Sequence, residues 1–106
     1  FGVGSQVGGP RLKRTLRLSP MAREDLSRLV AFHAQRDPAT ARRAHATLEG
    51  ALISLTELSE RGFLVDPGLG LRELKVKFGR YGYAIQYRVD KDSVFVAQIF
   101  HVRETR

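Results

Sequence analysis

Two short signals, each a polar residue followed by proline, constrain the fold of this chain more than any other feature. Ser19 precedes Pro20, and Asp37 precedes Pro38. Serine and aspartate are favoured as N-caps and proline is tolerated at the first helical position, so each pair predicts the start of a helix. Because the residue before a proline avoids the α-helical region, the first helix should end near Arg36. Two helices joined by so short a turn are expected to be antiparallel neighbours.

Both predicted helices carry an apolar stripe at helical spacing, the pattern of a helix that packs on one side. The first stripe contains Ala22, Leu26, Leu29 and His33, and the second contains Ala41, Ala44, Leu48, Ala51, Leu55 and Leu58. The position of His33 in the first stripe predicts a packed or rim role for this histidine. His45 lies beside the second stripe and is predicted to be on the surface. Gly62 is predicted to stop the second helix.

Alternation of apolar and polar residues predicts four strands around the helix pair, over residues 12–18, 71–78, 83–89 and 93–102. The last segment is apolar on both faces, which indicates an interior strand. Residues 62–70 are predicted to be a loop, and following the chain direction then makes the first and last strands antiparallel. The predicted fold is an α+β domain of order β-α-α-β-β-β, with an antiparallel helical hairpin on one face of a mainly antiparallel four-stranded sheet.

The length of 106 residues suits a single domain. We expect residues 1–11 to be a flexible glycine-rich lead-in, of the kind that an expression vector can leave, and residues 12–106 to form the domain. The absence of cysteine excludes disulfides and thiolate metal sites. No apolar run approaches the roughly 20 residues that span a bilayer, and the first residues lack a secretory signal pattern. We therefore expect a cytoplasmic protein with no cofactor, no metal and no membrane contact.

The net charge of +7 is unevenly distributed. Residues 1–19 carry four basic side chains and no acidic ones, residues 20–70 carry six and seven, and residues 71–106 carry eight and four. The positive excess therefore belongs to the sheet, whose open face should display Lys75, Lys77 and Arg88. Such a face attracts anionic partners, although charge that only keeps a sheet soluble explains it equally well.

Arg14 falls on the apolar side of its strand, where it needs a partner or a sheet edge. Glu24 and Asp25 follow the predicted start of the first helix, and there the helix dipole explains them better than acid–base chemistry does.

Several segments, taken in order, resemble one toxin family. They are Leu16-Arg17-Leu18-Ser19-Pro20 with Ala22, Asp25 and Leu26, then Pro38-Ala39, Gly70-Leu71-Arg72-Glu73-Leu74, Tyr81-Gly82-Tyr83-Ala84-Ile85, Tyr87-Arg88-Val89 and Phe100-His101-Val102-Arg103. Their order and spacing resemble the ParE branch of the ParE/RelE toxins over residues 12–104. The resemblance implies the toxin half of a type II toxin–antitoxin system, which a cognate antitoxin neutralises by direct binding.

The resemblance implies different targets in the two branches, and fold alone does not choose between them. For ParE the implied target is DNA gyrase, and for RelE it is ribosome-bound mRNA, which is cleaved. The end of this chain, residues 103–106, has no tyrosine and includes Glu104, which departs from the RelE pattern. The leading hypothesis is a non-enzymatic gyrase inhibitor that forms a hetero-oligomer with a ParD-like ribbon-helix-helix antitoxin. The alternatives are a ribosome-dependent mRNA interferase and a nucleic-acid-binding module.

The predicted site residues follow from these hypotheses. The predicted target-binding residues are Arg72, Lys75, Lys77, Arg88, His101 and Arg103. For RNA cleavage, His101 would be the acid or base, with Glu73 or Tyr87 in a proton role. A histidine that only hydrogen-bonds a neighbour at the end of its strand is the commoner case, and no residue is assigned as catalytic.

The predicted antitoxin-binding residues are Leu29, Phe32 and Ile53, across which an amphipathic helix could lie. Pairing of an extended antitoxin segment with an exposed sheet edge is the other predicted mode. An acidic antitoxin would also suit the basic sheet.

Overall fold

The computed structural model describes residues 13–104, so Leu12, the lead-in over residues 1–11 and the last two residues lie outside the described part. The elements are β1 (Thr15–Leu18), α1 (Pro20–Ala34), α2 (Pro38–Ser54), β2 (Phe63–Asp66), β3 (Leu71–Phe78), β4 (Tyr81–Val89) and β5 (Ser93–His101). The strands form one sheet of order β1-β5-β4-β3-β2. The predicted α+β class is confirmed, and none of the helices in this range is long and apolar enough to cross a membrane.

Both predicted helix starts are confirmed, and each has its N-cap hydrogen bond. Ser19 Oγ accepts from the Ala22 N–H at 2.9 Å and donates to the Ala97 carbonyl at 2.7 Å, which ties the helix start to β5. Asp37 accepts from the Thr40 hydroxyl at 2.7 Å and from the Ala39 N–H at 3.1 Å. These bonds to the charged form lower the pKa of the Asp37 carboxyl below its usual value.

Helix α2 ends at Ser54, so the prediction that it runs to Gly62 was wrong. The hydroxyls of Ser54 and Thr56 donate to the backbone carbonyls of Ala51 and Ile53 at 2.6 Å. These bonds occupy carbonyl oxygens at the C-terminal end of the helix. Leu58, which the apolar stripe predicted to be buried, is 61% exposed.

Gly62 does not end a helix. It lies where the segment before β2 passes close to β3 and β4. Its N–H donates to the Tyr87 hydroxyl at 2.9 Å. A Cβ at this position would lie 2.7 Å from that hydroxyl and 2.9 Å from the Glu73 carbonyl oxygen, so only glycine fits here.

The predicted loop over residues 62–70 contains a fifth strand, β2, which pairs antiparallel with β3 through Phe63 opposite Glu73. This extra strand reverses the chain direction once more, so β5 runs parallel to β1, with Leu16 opposite Val94. The predictions of a four-stranded sheet and of antiparallel first and last strands were therefore wrong, and both errors have this one cause. The sheet is mixed, and β5 is an interior strand as predicted.

The core lies between the helical hairpin and one face of the sheet. Its fully buried large side chains are Tyr83, Tyr87, Leu48, Leu55, Ile85, Ile99, Val94 and Val96.

Two charged residues hydrogen-bond to other parts of the chain beside this core. Arg14 finds the predicted partner, because its guanidinium donates to the Ser59 hydroxyl at 2.7 Å and to the Asp90 carbonyl at 2.9 Å. Asp25 does not act through the helix dipole as predicted, since it is buried and bonds to the backbone of β5.

Candidate functional site

The face of the sheet away from the helices is cationic, as predicted. Lys75, Lys77 and Arg88 are all exposed on it, because they alternate with buried residues along β3 and β4. Arg17 on β1 is exposed as well. The Arg88 guanidinium lies 5.3 Å from the centre of the Phe95 ring, which holds this cation against the sheet. We call this surface the open face.

A row of hydrogen-bonded and ion-paired side chains runs across the middle of the open face. Gln98 donates to Gln86 at 2.7 Å, Gln86 donates to Glu73 at 2.8 Å, and Glu73 lies 3.6 Å from the ammonium of Lys75. Glu73 is therefore occupied by this network, and its charge partly offsets that of Lys75. Tyr87, the other residue considered for a proton role, is fully buried on the opposite face.

Arg72 does not join the other predicted target-binding residues. It alternates with the open-face residues along β3 and so lies on the helix side, where its guanidinium donates to the carbonyls of Gly62 at 2.9 Å and Glu60 at 3.3 Å. These bonds hold the segment before β2 against β3, which is a structural task.

His101 and Arg103 lie together at the end of the sheet. The Arg103 backbone N–H donates to His101 Nδ1 at 3.1 Å, which places the proton of the neutral imidazole on Nε2. The Arg103 guanidinium donates to the Tyr81 hydroxyl at 2.6 Å and lies 4.7 Å from the centre of that ring. His101 thus has the neighbouring hydrogen bond that a strand-end histidine is expected to have.

These residues belong to a continuous row of six rings, with neighbouring centres 5.3 to 6.0 Å apart. In spatial order the rings are Phe32, His33, Phe78, Tyr83, His101 and Tyr81. We call them the aromatic row. Arg36 stacks on Phe32 at 4.3 Å, and Arg103 stacks on Tyr81 at the other end.

Two hydrogen-bonding groups sit inside the aromatic row. His33 Nε2 and the Tyr83 hydroxyl are 3.1 Å apart, so His33 has the rim position that its place in the helix stripe predicts. Burial raises the pKa of the Tyr83 phenol. His45 is exposed, also as predicted.

An open cleft of about 490 Å³ borders the aromatic row. Its lining residues are His33, Thr40, Arg43, Phe78, Gly79, Arg80, Tyr81, Tyr83 and His101. The lining contains two arginines and two histidines and no acidic side chain, so the cleft suits an anionic group. Sequence reasoning missed Arg43, Arg80 and Tyr81. For Arg80 the signal available was its place in the tight turn between β3 and β4, and Tyr81 begins β4 directly after that turn.

A second groove of about 440 Å³ lies on the other side of the aromatic row and is lined partly by Leu29 and Phe32. We call it the apolar groove. Arg28 and Glu104 close its rim with an ion pair of 2.5 Å. Glu104 also accepts from the His101 backbone N–H at 2.7 Å, so its carboxylate is held between His101 and Arg28.

Of the three predicted antitoxin-binding residues, Leu29 and Phe32 share the apolar groove and Ile53 does not. Ile53 is 52% exposed near the C-terminal end of α2, whereas Phe32 lies beside the start of that helix. At about 1.5 Å per residue, the two ends of α2 are roughly 24 Å apart, so Ile53 is far from the apolar groove.

Within residues 13–104, no group of three or more His, Asp or Glu side chains is placed to hold a metal ion.

Residues 16–106 match a family model described as the ParE toxin of the type II toxin–antitoxin system parDE. The chain belongs to the ParE toxin family. Similar relatives carry the name of the other branch. This toxin is 41% identical to Toxin RelE1 of Caulobacter vibrioides over 92 residues, which are 87% of this chain and 97% of that protein. It is 37% identical to Toxin RelE3 of the same organism, over 88% of this chain and 99% of that one.

Solved structures share the fold of this toxin. The chromosomal ParDE system from P. aeruginosa aligns with a TM-score of 0.68 at 18% identity, covering 84% of this chain and 96% of that one. The RelBE2 complex from Mycobacterium tuberculosis aligns with a TM-score of 0.58 at 24% identity, covering 85% and 99%. Both branches are thus represented among proteins of this architecture.

Proposed function

We propose that this toxin inhibits DNA gyrase by protein–protein binding and that a cognate ParD-like antitoxin neutralises it. The observation that carries the proposal is the ParE family match, which extends over residues 16–106 and so includes both helices and every strand except Thr15, the first residue of β1. The shared fold with the ParDE system from P. aeruginosa and the RelBE2 complex from Mycobacterium tuberculosis supports a toxin–antitoxin role and does not choose between the two targets. Gyrase works where the chromosome is, so we place the toxin in the cytoplasm.

The contact surface for gyrase is the open face together with the sheet end at His101 and Arg103. Arg88 and Arg103 are each held over an aromatic ring, so little side-chain entropy is lost when they meet an acidic surface. A rigid array of cations also steers a negatively charged partner toward the correct encounter. These features favour binding as the mode of action.

The hydroxyls near the cleft also favour binding over bond cleavage. The Tyr81 hydroxyl accepts a hydrogen bond from Arg103, and the Tyr83 hydroxyl is bonded to His33. Burial raises the pKa of Tyr83, which makes this phenol a poor proton acceptor near neutral pH.

The antitoxin is proposed to be an acidic ribbon-helix-helix protein whose tail covers the apolar groove. Phe32 is 54% exposed and forms one wall of that groove, which an apolar side chain of the antitoxin would fill. Arg103, which lines the groove and is exposed, is placed to meet its carboxylates. The complex is a hetero-oligomer of toxin and antitoxin.

A supercoiling assay tests the proposed target. Purified gyrase is given a relaxed plasmid, and the supercoiling of that plasmid is measured at increasing concentrations of toxin. We expect complete inhibition when the toxin is stoichiometric with gyrase. A toxin in which Lys75, Lys77 and Arg88 are each changed to Gln should need at least about tenfold more protein. Arg42→Gln, which removes one exposed charge from α2, is the control and should inhibit normally. Undiminished supercoiling with folded toxin would overturn the proposal.

A second candidate function, ribosome-dependent mRNA cleavage, is favoured by the acid-free cleft and by the two relatives named RelE. In that reaction the imidazolium form of His101 would donate its Nε2 proton to the leaving oxygen and become neutral imidazole, water would take the proton of the attacking 2′-hydroxyl, and Arg43 and Arg80 would stabilise the phosphorane. Translating ribosomes incubated with the toxin separate the two candidates. Cleaved mRNA that disappears with His101→Gln would establish this function, and intact mRNA together with inhibited gyrase would exclude it.

A further inference from the structure

The cleft beside the aromatic row is bordered by two cations from distant parts of the chain. Arg43 comes from near the start of α2, and Arg80 from the turn between β3 and β4. In the described part of the chain neither guanidinium forms an ion pair. There, Arg43 donates only to the Thr40 hydroxyl, at 3.2 Å, and Arg80 lies 6.0 Å from the centre of the Tyr81 ring. Two cations beside one cleft repel each other, and an anion bound between them would remove that repulsion.

Asp37 does not neutralise this cleft. Its carboxylate accepts from the Thr40 hydroxyl and the Ala39 N–H at the start of α2, and it is not part of the cleft lining. The hydrogen bond from Thr40 is the main influence that lowers the pKa of Asp37, and the charge of Arg43 is the smallest. Asp37 is therefore committed to capping the helix.

Two histidines and a tyrosine add further donors to the cleft wall. Tyr83 is 1% exposed, and its hydroxyl lies 3.1 Å from His33 Nε2. Burial raises the pKa of this phenol, so it keeps its proton near neutral pH. If Nε2 carries the imidazole proton, the Tyr83 O–H has no acceptor among residues 13–104, and if the hydroxyl donates instead, the His33 Nδ1 proton has none. His101 also retains a donor, because its Nδ1 accepts from Arg103 and its Nε2 proton has no acceptor in the same range.

This set of donors suits a phosphate monoester better than other common anions. A carboxylate offers two oxygens and one charge, and a phosphodiester of a nucleic-acid backbone also has one charge and two terminal oxygens. A phosphate monoester has three terminal oxygens and a charge of about −1.5 to −2. Guanidinium groups match phosphate oxygens in pairs. The cleft of about 490 Å³ is in the size range of small-molecule sites, so an organic group attached to the phosphate has room against Phe78 and Tyr81.

We propose that this cleft binds the phosphate monoester of a small molecule, such as a nucleoside monophosphate. Arg43 and Arg80 hold the phosphate from two sides, and the donors of His101 and of the Tyr83–His33 pair complete its shell. The proposal goes beyond both candidate functions, because the ligand is small and none of its bonds is broken. It also rests on neither of them, since gyrase, ribosome and antitoxin contribute no residue to the cleft.

NMR titration of the isotope-labelled full chain at constant ionic strength tests the proposal. The probes are inorganic phosphate, adenosine 5′-monophosphate and adenosine. We expect saturable shifts at residues 79–83 and at His101, with a Kd of about 0.1–1 mM for the five-atom phosphate ion. The monophosphate should bind at least as tightly, and adenosine should cause no saturable shift.

Arginine variants separate a built site from diffuse positive charge. Arg43→Gln and Arg80→Gln should each raise the Kd for phosphate at least about tenfold, because each removes charge-assisted hydrogen bonds. Arg42→Gln is the matched control: it removes the same charge from the neighbouring exposed position of α2, which does not line the cleft, and it should change the Kd less than about twofold. Tyr83→Phe should weaken binding about threefold. Unchanged shifts elsewhere in each spectrum show that the variant is folded.

Four results would overturn the proposal. They are the absence of saturation with phosphate, an equal effect of Arg42→Gln and Arg80→Gln, acetate binding as tight as phosphate, and a dinucleotide without a terminal phosphate binding more tightly than the monophosphate. The third result would indicate a carboxylate site and the fourth a nucleic-acid backbone site. None of these measurements contains gyrase, so this proposal and the proposed target can fail separately.

Discussion

Asp25 and Ile99 join helix α1 to the sheet through a buried hydrogen bond, in which Asp25 Oδ2 accepts from the Ile99 N–H at 2.9 Å. The other oxygen of this carboxylate meets the guanidinium of Arg28 at 3.3 Å, and Arg28 in turn pairs with Glu104. Burial, the largest single influence, lowers the pKa of the Arg28 guanidinium, but the hydrogen bonds and charges of Glu104 and Asp25 together raise that pKa above its usual value. Through this one side chain the first helix holds the strand that ends in His101.

Removing the carboxylate should therefore destabilise the fold. In Asp25→Ala the buried Ile99 N–H is left without its acceptor, and we expect the free energy of unfolding to fall by about 2–3 kcal/mol. Asp25→Asn keeps an acceptor and should cost less. Urea unfolding of both, with the exposed neighbour Glu24→Ala as control, measures the effect. Equal losses for Asp25→Ala and Glu24→Ala would contradict this role.

Gly82 should be the least replaceable glycine of the described sheet. Its φ is +133°, and a Cβ there would lie 2.1 Å from the Val76 carbonyl oxygen on the neighbouring strand. We expect Gly82→Ala to lower the unfolding free energy by about 2–4 kcal/mol through strain and displacement of β3. Gly50→Ala is the matched control, because Gly50 is in helix α2 with nothing within 4 Å, and it should stabilise by about 0.5–1 kcal/mol. Thermal or urea unfolding distinguishes the two, and a neutral Gly82→Ala would refute the clash.

The Tyr87 hydroxyl links the segment before β2 to the core and should give stability a dependence on alkaline pH. It donates to the Ser59 carbonyl at 2.8 Å and accepts from the Gly62 N–H at 2.9 Å, so Tyr87→Phe should cost about 1–3 kcal/mol. Burial raises the pKa of Tyr87 above its usual value of 10.0. The neutral phenol is favoured by folding, so its contribution is complete below pH 10 and is lost as the pH rises toward the folded-state pKa.

Urea unfolding of wild type and Tyr87→Phe from neutral to strongly alkaline pH checks the sign. The difference between the two proteins should be constant below about pH 10 and shrink above it. A difference that grows with pH would contradict the assignment.

Arg72 should affect stability rather than target binding. Its guanidinium holds the carbonyls of Glu60 and Gly62, and Arg72→Gln should lower the unfolding free energy by about 1–2 kcal/mol. Lys75→Gln, three residues on and mostly exposed, should leave stability unchanged and weaken target binding. Unfolding and supercoiling inhibition measured on both variants separate the two roles. Weaker inhibition by Arg72→Gln under conditions where it is fully folded would return Arg72 to the target surface.

Local signals predicted the helices well, because an N-cap and a following proline act within one turn. Strand β2 escaped prediction for a physical reason. It has four residues, it is exposed on both faces, and it is followed by Pro67, so it lacks the alternation that marks a half-buried strand. A single missed strand reversed the inferred direction of β5.

The candidate site was only half predictable. Lys75, Lys77 and Arg88 follow from alternation along single strands, which sequence shows directly. The aromatic row does not, because its six rings come from α1, β3, β4 and β5 and become neighbours only when the helix crosses the sheet end. The target-binding role of Arg72 stays a prediction: alternation along β3 shows that it lies on the helix side, but its hydrogen bonds to the Glu60 and Gly62 carbonyls could not be predicted, because those residues reach it only in the folded chain.

The parallel pairing of β1 with β5 has a kinetic consequence. The Ser19 hydroxyl and its acceptor on Ala97 are 78 residues apart in the sequence. Strand β1 therefore cannot pair with β5 until β5 has been synthesised. At about 5–20 residues per second, a ribosome needs roughly 4–16 s to make that interval. During this delay the helical hairpin has no complete sheet to cover its apolar stripe. Long-range closure of this kind slows folding, and it gives the nascent toxin a period of several seconds in which a partner can meet it before its fold is complete.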